Sequence, residues 1–206
     1  MPINKCVIQH SHICLDKPDQ AIILLPGRGC SAEMMMGLFS QILEIPKLIV
    51  FSIEPEKEWY PMPNGALDQN DALSGLTENL PIIKNYIDEL LAESEINVES
   101  TSLIGFSAGA VIALSLATNY QTPYKIIISH SGAILDPENI KPCEISTKIV
   151  LIHRQDDSCF EWHERYLPMR DSLIKLGYAV SPVERQLGNH LIYKDDVDYI
   201  KEIICQ

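Results

Sequence analysis

Ser107 stands at the centre of Gly105-Phe106-Ser107-Ala108-Gly109, where an apolar run ends and an Ala/Leu-rich run begins. The G-x-S-x-G spacing is that of a nucleophile elbow, a strand-to-helix turn tight enough to lift a serine hydroxyl above a sheet. Side chains at the two flanking positions would collide with the adjoining strand and helix, and glycine removes the collision. A serine hydroxyl is a poor nucleophile at neutral pH. It needs a general base within hydrogen-bond reach and a carboxylate to orient that base.

In chains with such an elbow the acid follows the serine and the histidine comes last. His10 and His12 precede Ser107, His130 and His153 fall at strand ends with no acid suitably placed before them, and His163 falls in the first turn of a helix. His190, in Gly188-Asn189-His190, lies in the loop between the last expected strand and the last helix. Loops at that end of an open α/β sheet gather ligands and catalytic groups. Asp156 and Asp157 both follow the strand that ends near His153; one is expected to cap or solvate the turn and the other to orient His190, and spacing does not choose between them. A tetrahedral intermediate also requires two backbone N–H donors. Ala108 supplies one, and Arg28, in Leu25-Pro26-Gly27-Arg28-Gly29 directly after an early strand, is the candidate for the other.

These groups must be held by a scaffold, and the apolar pattern predicts one. Short runs rich in Ile, Val and Leu recur at Ala21–Pro26, Lys47–Ile53, Ser102–Gly105, Lys125–Ser129 and Lys148–His153, each the length of a buried parallel strand. Helical spacing occupies Ser31–Leu43, Asp71–Ala92, Ala108–Asn119 and Trp162–Leu176 between them. A further strand is expected at Ala179–Arg185, a last helix from Asp195 to Ile204, and extra edge strands within residues 3–15. The alternation predicts an α/β fold, a mostly parallel sheet with helices on both faces. The long irregular stretch Glu54–Asn70 holds Trp59-Tyr60 and Asn64-Gly65, and a loop of that length in a compact domain is commonly functional. Met34-Met35-Met36 reads as core packing, since three consecutive helix positions point in three directions.

The 206 residues are read as one domain, 1–206, with no room for a separate lid domain. The net charge of −12 repels phosphate backbones and anionic headgroups, which argues against nucleic acid as a partner. Six cysteines, at 6, 14, 30, 143, 159 and 205, show no metal-ligand spacing and read as free thiols of a reducing compartment. The first ten residues do not show the basic start and apolar core of a signal peptide, and no apolar run approaches about 20 residues, so stable membrane insertion is not expected and a cytoplasmic location is.

With these residues placed, the chain resembles the phospholipase/carboxylesterase family of small α/β-hydrolases over roughly residues 20–204. The resemblance rests on Leu25-Pro26-Gly27-Arg28-Gly29, Gly105-Phe106-Ser107-Ala108-Gly109, His153-Arg154-Gln155-Asp156-Asp157 and Asn189-His190, with Trp59-Tyr60-Pro61 similar to a Trp-Tyr-Pro of bacterial members. It implies Ser107 as nucleophile, His190 as base, Asp157 as acid because it stands four residues after His153, and Arg28 at the oxyanion position. It further implies a cofactor-free and metal-free serine esterase acting on a small-molecule ester or thioester, with Trp59 and Tyr60 as candidate acyl-pocket residues; a homodimer is left open. Pro26, Arg154 and Asn189 depart from the family's usual His, Gly and Gly, and Ala108 replaces the Gln of acyl-protein thioesterases. Two other readings compete. One is a catalytically silent ligand-binding module, whose signature would be a missing triad member. The other is a dienelactone-hydrolase-like enzyme, which would carry cysteine where this chain has Ser107.

Overall fold

Between Gln20 and Leu25 five consecutive residues are buried, although successive side chains of a strand point to opposite faces. Both faces of the sheet must therefore be covered. The computed structural model describes residues 3–12, 17–61 and 69–206. Its elements follow in the order β1 (Ile3–His10), β2 (Gln20–Leu25), α1 (Ala32–Leu38), β3 (Leu48–Pro55), α2 (Gln69–Ser94), β4 (Thr101–Phe106), α3 (Ala108–Tyr120), β5 (Ile126–His130), β6 (Lys148–Arg154), α4 (Leu167–Lys175), β7 (Ala179–Arg185) and α5 (Lys194–Ile204). The strands form one sheet in the order β1-β3-β2-β4-β5-β6-β7. Only β1 runs antiparallel, on β3, and every other pair is parallel. This is the expected mostly parallel α/β architecture.

Side-chain alternation sorts the core into two layers. Ile23, Leu25, Phe51, Leu103, Ile127 and Leu151 face one side, where α2, α3 and α4 cover them. Ile22, Leu24, Val50, Ile104, Ile128 and Val150 face the other, beneath α1 and α5. Helix α2 contributes Leu76, Leu80, Ile83, Ile87 and Leu91, a stripe at helical spacing. Helix α3 is buried on every side from Ala108 to Thr118, which is why its sequence is nearly all Ala, Val, Ile and Leu. Helix α5 buries Val197, Ile200, Ile203 and Ile204; at roughly 2 kcal/mol per side chain this anchors the element that follows the His190 loop.

Most expected boundaries shift by one or two residues, but two helices change character. The stretch expected as one helix from Ser31 to Leu43 is α1, capped where Ser31 Oγ accepts from the Met34 N–H at 3.2 Å, followed by a separate 3₁₀ turn over Ser40–Glu44. Met35 and Met36 are buried and Met34 is 62% exposed, as three directions require. The helix expected from Trp162 begins as a π-type turn, Trp162–Tyr166, before α4. Pro168 has no N–H for the carbonyl of Glu164, so the regular ladder cannot start there. Pro182 is tolerated in β7 because that strand is an edge. Among the described residues, one of the expected N-terminal edge strands forms, β1; Cys14 lies outside them. The irregular stretch after Glu54 is described through Pro61; Asn64-Gly65 lies outside the described residues, and α2 starts at Gln69. No helix among the described residues is long and apolar enough to cross a membrane.

Candidate active site

Parallel strands deliver their C-terminal ends to one edge of the sheet, and the loops after β2, β4, β6 and β7 meet there. Ser107 lies in the turn between β4 and α3 at φ 53° and ψ −119°, a region that residues with a side chain rarely enter. Its N–H donates to the His130 carbonyl at 3.0 Å. The two flanking glycines are required by contact. A Cβ on Gly105 would lie 2.5 Å from the Cα of Ala110, and one on Gly109 would lie 2.0 Å from the Leu25 carbonyl oxygen.

His190 Nε2 is 2.7 Å from Ser107 Oγ, and His190 Nδ1 is 2.9 and 3.0 Å from the two carboxylate oxygens of Asp157. Asp157 is buried, and its Oδ1 also accepts from the N–H groups of Cys159 and Phe160, both at 2.9 Å. Burial pushes the Asp157 carboxyl up, but the bonds from His190, Phe160 and Cys159 outweigh it and hold its pKa at about 2. It is therefore an anion at any pH where the protein would work. Asp156 is used differently: its oxygens accept from the N–H groups of Gly188 at 3.1 Å and Asn189 at 2.8 Å. Asn189 in turn accepts at Oδ1 from Ser158 N–H and Ser158 Oγ, at 3.2 and 2.9 Å. The loop carrying Asp157 and the loop carrying His190 are thus latched to each other on both sides of the His190–Asp157 pair.

Gly27 packs so tightly that a Cβ there would lie 3.1 Å from Ser107 Cβ and 2.8 Å from the Phe106 ring. That contact sets the Gly27-Arg28 backbone beside the Ser107 turn. Ala108 is the first residue of α3, where N–H groups precede the intrahelical ladder and the helix dipole favours negative charge. Arg28 lines a cleft of about 180 Å³ with Cys30, Glu54, Lys57 and Trp59. Trp59 is itself buried and donates from Nε1 to the Pro26 carbonyl at 2.7 Å, which braces the loop. Tyr60 is buried in the core cluster and does not line this cleft. The arrangement brings a serine hydroxyl, an imidazole oriented by a carboxylate, and the backbone of the Gly27-Arg28 loop together at one edge of the sheet.

For metal, Asp157, Cys159 and His190 each offer a ligand atom within 4.8 Å of the others. Two of the three are already bonded to each other, so a cation there would have to break the His190–Asp157 pair. The five cysteines among the described residues are free.

Three contacts were not anticipated: the Trp59–Pro26 brace, the Asp156–Asn189–Ser158 latch, and an ion pair of Arg154 Nη2 with Asp196 at 2.8 Å. The sequence marks one position in each but not its partner. Each involves one of the positions Pro26, Asn189 and Arg154, at which the chain departs from the pattern it otherwise resembles.

Buried titratable groups give a pH expectation. Burial lowers His130 and His153 below the ordinary histidine value, against the pull of Asp196 and Asp157, so each takes up a proton less readily when folded than when unfolded. The unfolded chain then binds more protons, and stability must fall as pH drops through the ordinary histidine range. Asp157 and Asp196 are held below 3.8, so their contribution is present above that value and is lost at lower pH still. Thermal midpoints measured from pH 8 to 5 should therefore decline before any carboxylate titrates, and His153→Gln should flatten the slope. A flat profile over that range would contradict the lowered affinity of these buried imidazoles for a proton.

A sequence model of the phospholipase/carboxylesterase family matches residues 13–204 of the chain. Among solved structures, esterase PE8 is 22% identical with a TM-score of 0.86, with 96% of each chain covered. The phospholipase/carboxylesterase from Dyadobacter fermentans is 21% identical with a TM-score of 0.79, covering 98% of this chain and 96% of that one. The Bacillus cereus carboxylesterase is 19% identical with a TM-score of 0.75, covering 97% of this chain and 92% of that one. At these identities the structural likeness is one of fold.

Proposed function

The chain belongs to the phospholipase/carboxylesterase family and is a hydrolase of the carboxylesterase type, and from that premise we propose that it cleaves carboxylic esters of small to medium acyl groups through Ser107, His190 and Asp157, with thioesters as a second substrate class. The observation that carries this reading is the continuous hydrogen-bonded line from the Asp157 carboxylate through His190 to Ser107 Oγ, at 2.9 and 2.7 Å.

His190 Nε2 takes the Ser107 proton as Oγ attacks the substrate carbonyl carbon, and the carbonyl π electrons move onto oxygen. Asp157 accepts the Nδ1 proton in a hydrogen bond, fixes the tautomer and stabilises the imidazolium. The N–H groups of Arg28 and Ala108 receive the oxyanion, a contribution of about 3 kcal/mol per donor in comparable sites. Collapse expels the alcohol or thiol, which leaves with the proton from His190. Water, deprotonated by the same histidine, then attacks the acyl-enzyme, and a second collapse frees the acid and Ser107. A cleft of about 180 Å³, lined by Arg28, Glu54, Lys57 and Trp59, adjoins the loop that carries the second oxyanion donor. Ala108 in place of the glutamine of acyl-protein thioesterases supports a general esterase over a protein depalmitoylase.

The test is a chain-length series of nitrophenyl esters and acyl-coenzyme A thioesters, run beside fluorophosphonate labelling. Turnover is expected on short to medium acyl chains, with covalent labelling of the protein. Binding without hydrolysis across the whole series would favour a silent module instead.

A further inference from the structure

Behind the His190 loop lies a second charged cluster that the ester chemistry does not use. Asp196, buried near the start of α5, gathers His130 Nε2 at 3.1 Å, Arg154 Nη2 at 2.8 Å and the Tyr193 N–H at 3.0 Å on one oxygen, Oδ2. Arg185 Nε approaches the other oxygen at 3.7 Å. Arg154 then reaches the loop. Its guanidinium lies over the Tyr193 ring, 4.6 Å from the centroid. Gly188 rests on its stem so closely that a Cβ there would meet Arg154 Nε at 2.3 Å and the Tyr193 ring at 2.8 Å. Tyr193 Oη closes the circuit by donating to the Gly188 carbonyl at 3.1 Å. The two residues that bracket His190 are both seated on Arg154.

The same cluster touches the nucleophile turn. The Phe106 ring sits between the rings of His130 and His190, with centroids 5.6 and 5.2 Å away, and the His130 carbonyl holds the Ser107 N–H. For stability alone this is a poor solution. Arg154 Nε and Nη1, His130 Nδ1 and Asp196 Oδ1 are buried with no hydrogen-bond partner among the described residues. A half-satisfied ionic cluster is worth less to folding than apolar side chains of the same volume. Apolar packing, however, would not seat Gly188 and Tyr193 at fixed points.

We propose that Arg154 and Asp196 are positioning residues: acting through Gly188 and Tyr193, they set where the His190 ring stands relative to Ser107 Oγ. The proposal rests on the reading of His190 as the base.

Arg154→Met, Arg154→Lys, Asp196→Asn and Tyr193→Phe would be assayed on a short nitrophenyl ester, with kcat expressed per site titrated to completion by a fluorophosphonate probe and the thermal midpoint measured alongside. Misplacing a reacting group by about 1 Å costs on the order of 100-fold. Arg154→Met and Asp196→Asn are therefore expected to lower kcat per titrated site by roughly 10- to 100-fold with KM within about twofold. Arg154→Lys, which keeps the charge but not the flat surface beneath Tyr193, should recover only part. Tyr193→Phe removes only the hydroxyl that ties Tyr193 to Gly188, so kcat should fall a few-fold at an unchanged midpoint; if the buried variants do not fold, this variant decides. An unchanged kcat per titrated site in Tyr193→Phe, and in Arg154→Met if it folds, would overturn the positioning role even if midpoints drop. Failure of the unsubstituted protein to react with the probe would overturn the underlying reading of Ser107 and His190, and is distinguishable because it appears before any substitution is made.

Discussion

Ser107→Ala is expected to lower kcat on nitrophenyl esters by roughly 10⁵- to 10⁶-fold, which at about 1.4 kcal/mol per decade is on the order of 7–8 kcal/mol of transition-state stabilisation. The loss is this large because the three residues act as one unit. Without Oγ, the lone pair on His190 Nε2 has no hydroxyl proton to take, and the ring orientation supplied by Asp157 serves no attack. Residual turnover would come only from the backbone donors and from binding. Fold should be untouched: the substitution removes one hydroxyl from a turn already held by the Ser107 N–H to His130 carbonyl bond and by the fit of Gly105 and Gly109. Fluorophosphonate labelling should vanish with the activity. Labelling that survives would place the nucleophile elsewhere, and one alternative is the Cys159 thiol, within 4.8 Å of His190 and Asp157. Desolvation and the neighbouring Asp157 charge push that thiol's pKa up, so it is a poor thiolate source and activity should resist iodoacetamide.

The sheet was readable in advance because its signal is local. Runs such as Ala21–Leu25 and Ile149–Ile152 carry burial on both faces within a few residues, and the buried helix α3 declares itself in composition. The tight turn at Ser107 was equally legible, since the elbow pattern confines glycine, serine and glycine to five positions. The departures at the helix starts have physical causes that a periodicity count does not weigh, such as the N–H missing from Pro168. The loop contacts were not readable at all. Trp59 meets Pro26 across 33 positions, Arg154 meets Asp196 across 42, and Ser158 meets Asn189 across 31. None has a local pattern, and each exists only because the sheet brings the ends of β2, β4, β6 and β7 to one edge. The sequence contained the residues of these braces but not their pairing.

The choice between Asp156 and Asp157 shows the same limit and yields the second large effect. Adjacent residues in one turn differ by no spacing rule, yet their carboxylates point to different partners: Asp157 to His190 Nδ1, Asp156 to the N–H groups of Gly188 and Asn189. Asp157→Asn is therefore expected to lower kcat by about 10⁴-fold with KM little changed. An amide nitrogen donated to Nδ1 would force the ring proton onto Nε2, facing Ser107, where the tautomer cannot act as a base. Some stability should go as well, because the carboxylate also holds the Cys159 and Phe160 N–H groups. Asp156→Asn keeps an oxygen that can accept from either loop N–H and leaves the His190 pair intact, so kcat should stay within about tenfold. The comparison uses two isosteric changes one residue apart, so a general disturbance of the turn cannot produce a thousandfold difference between them. If the large loss followed Asp156→Asn instead, the acid would have to be reassigned and the latch across Gly188 and Asn189 would become the orienting contact.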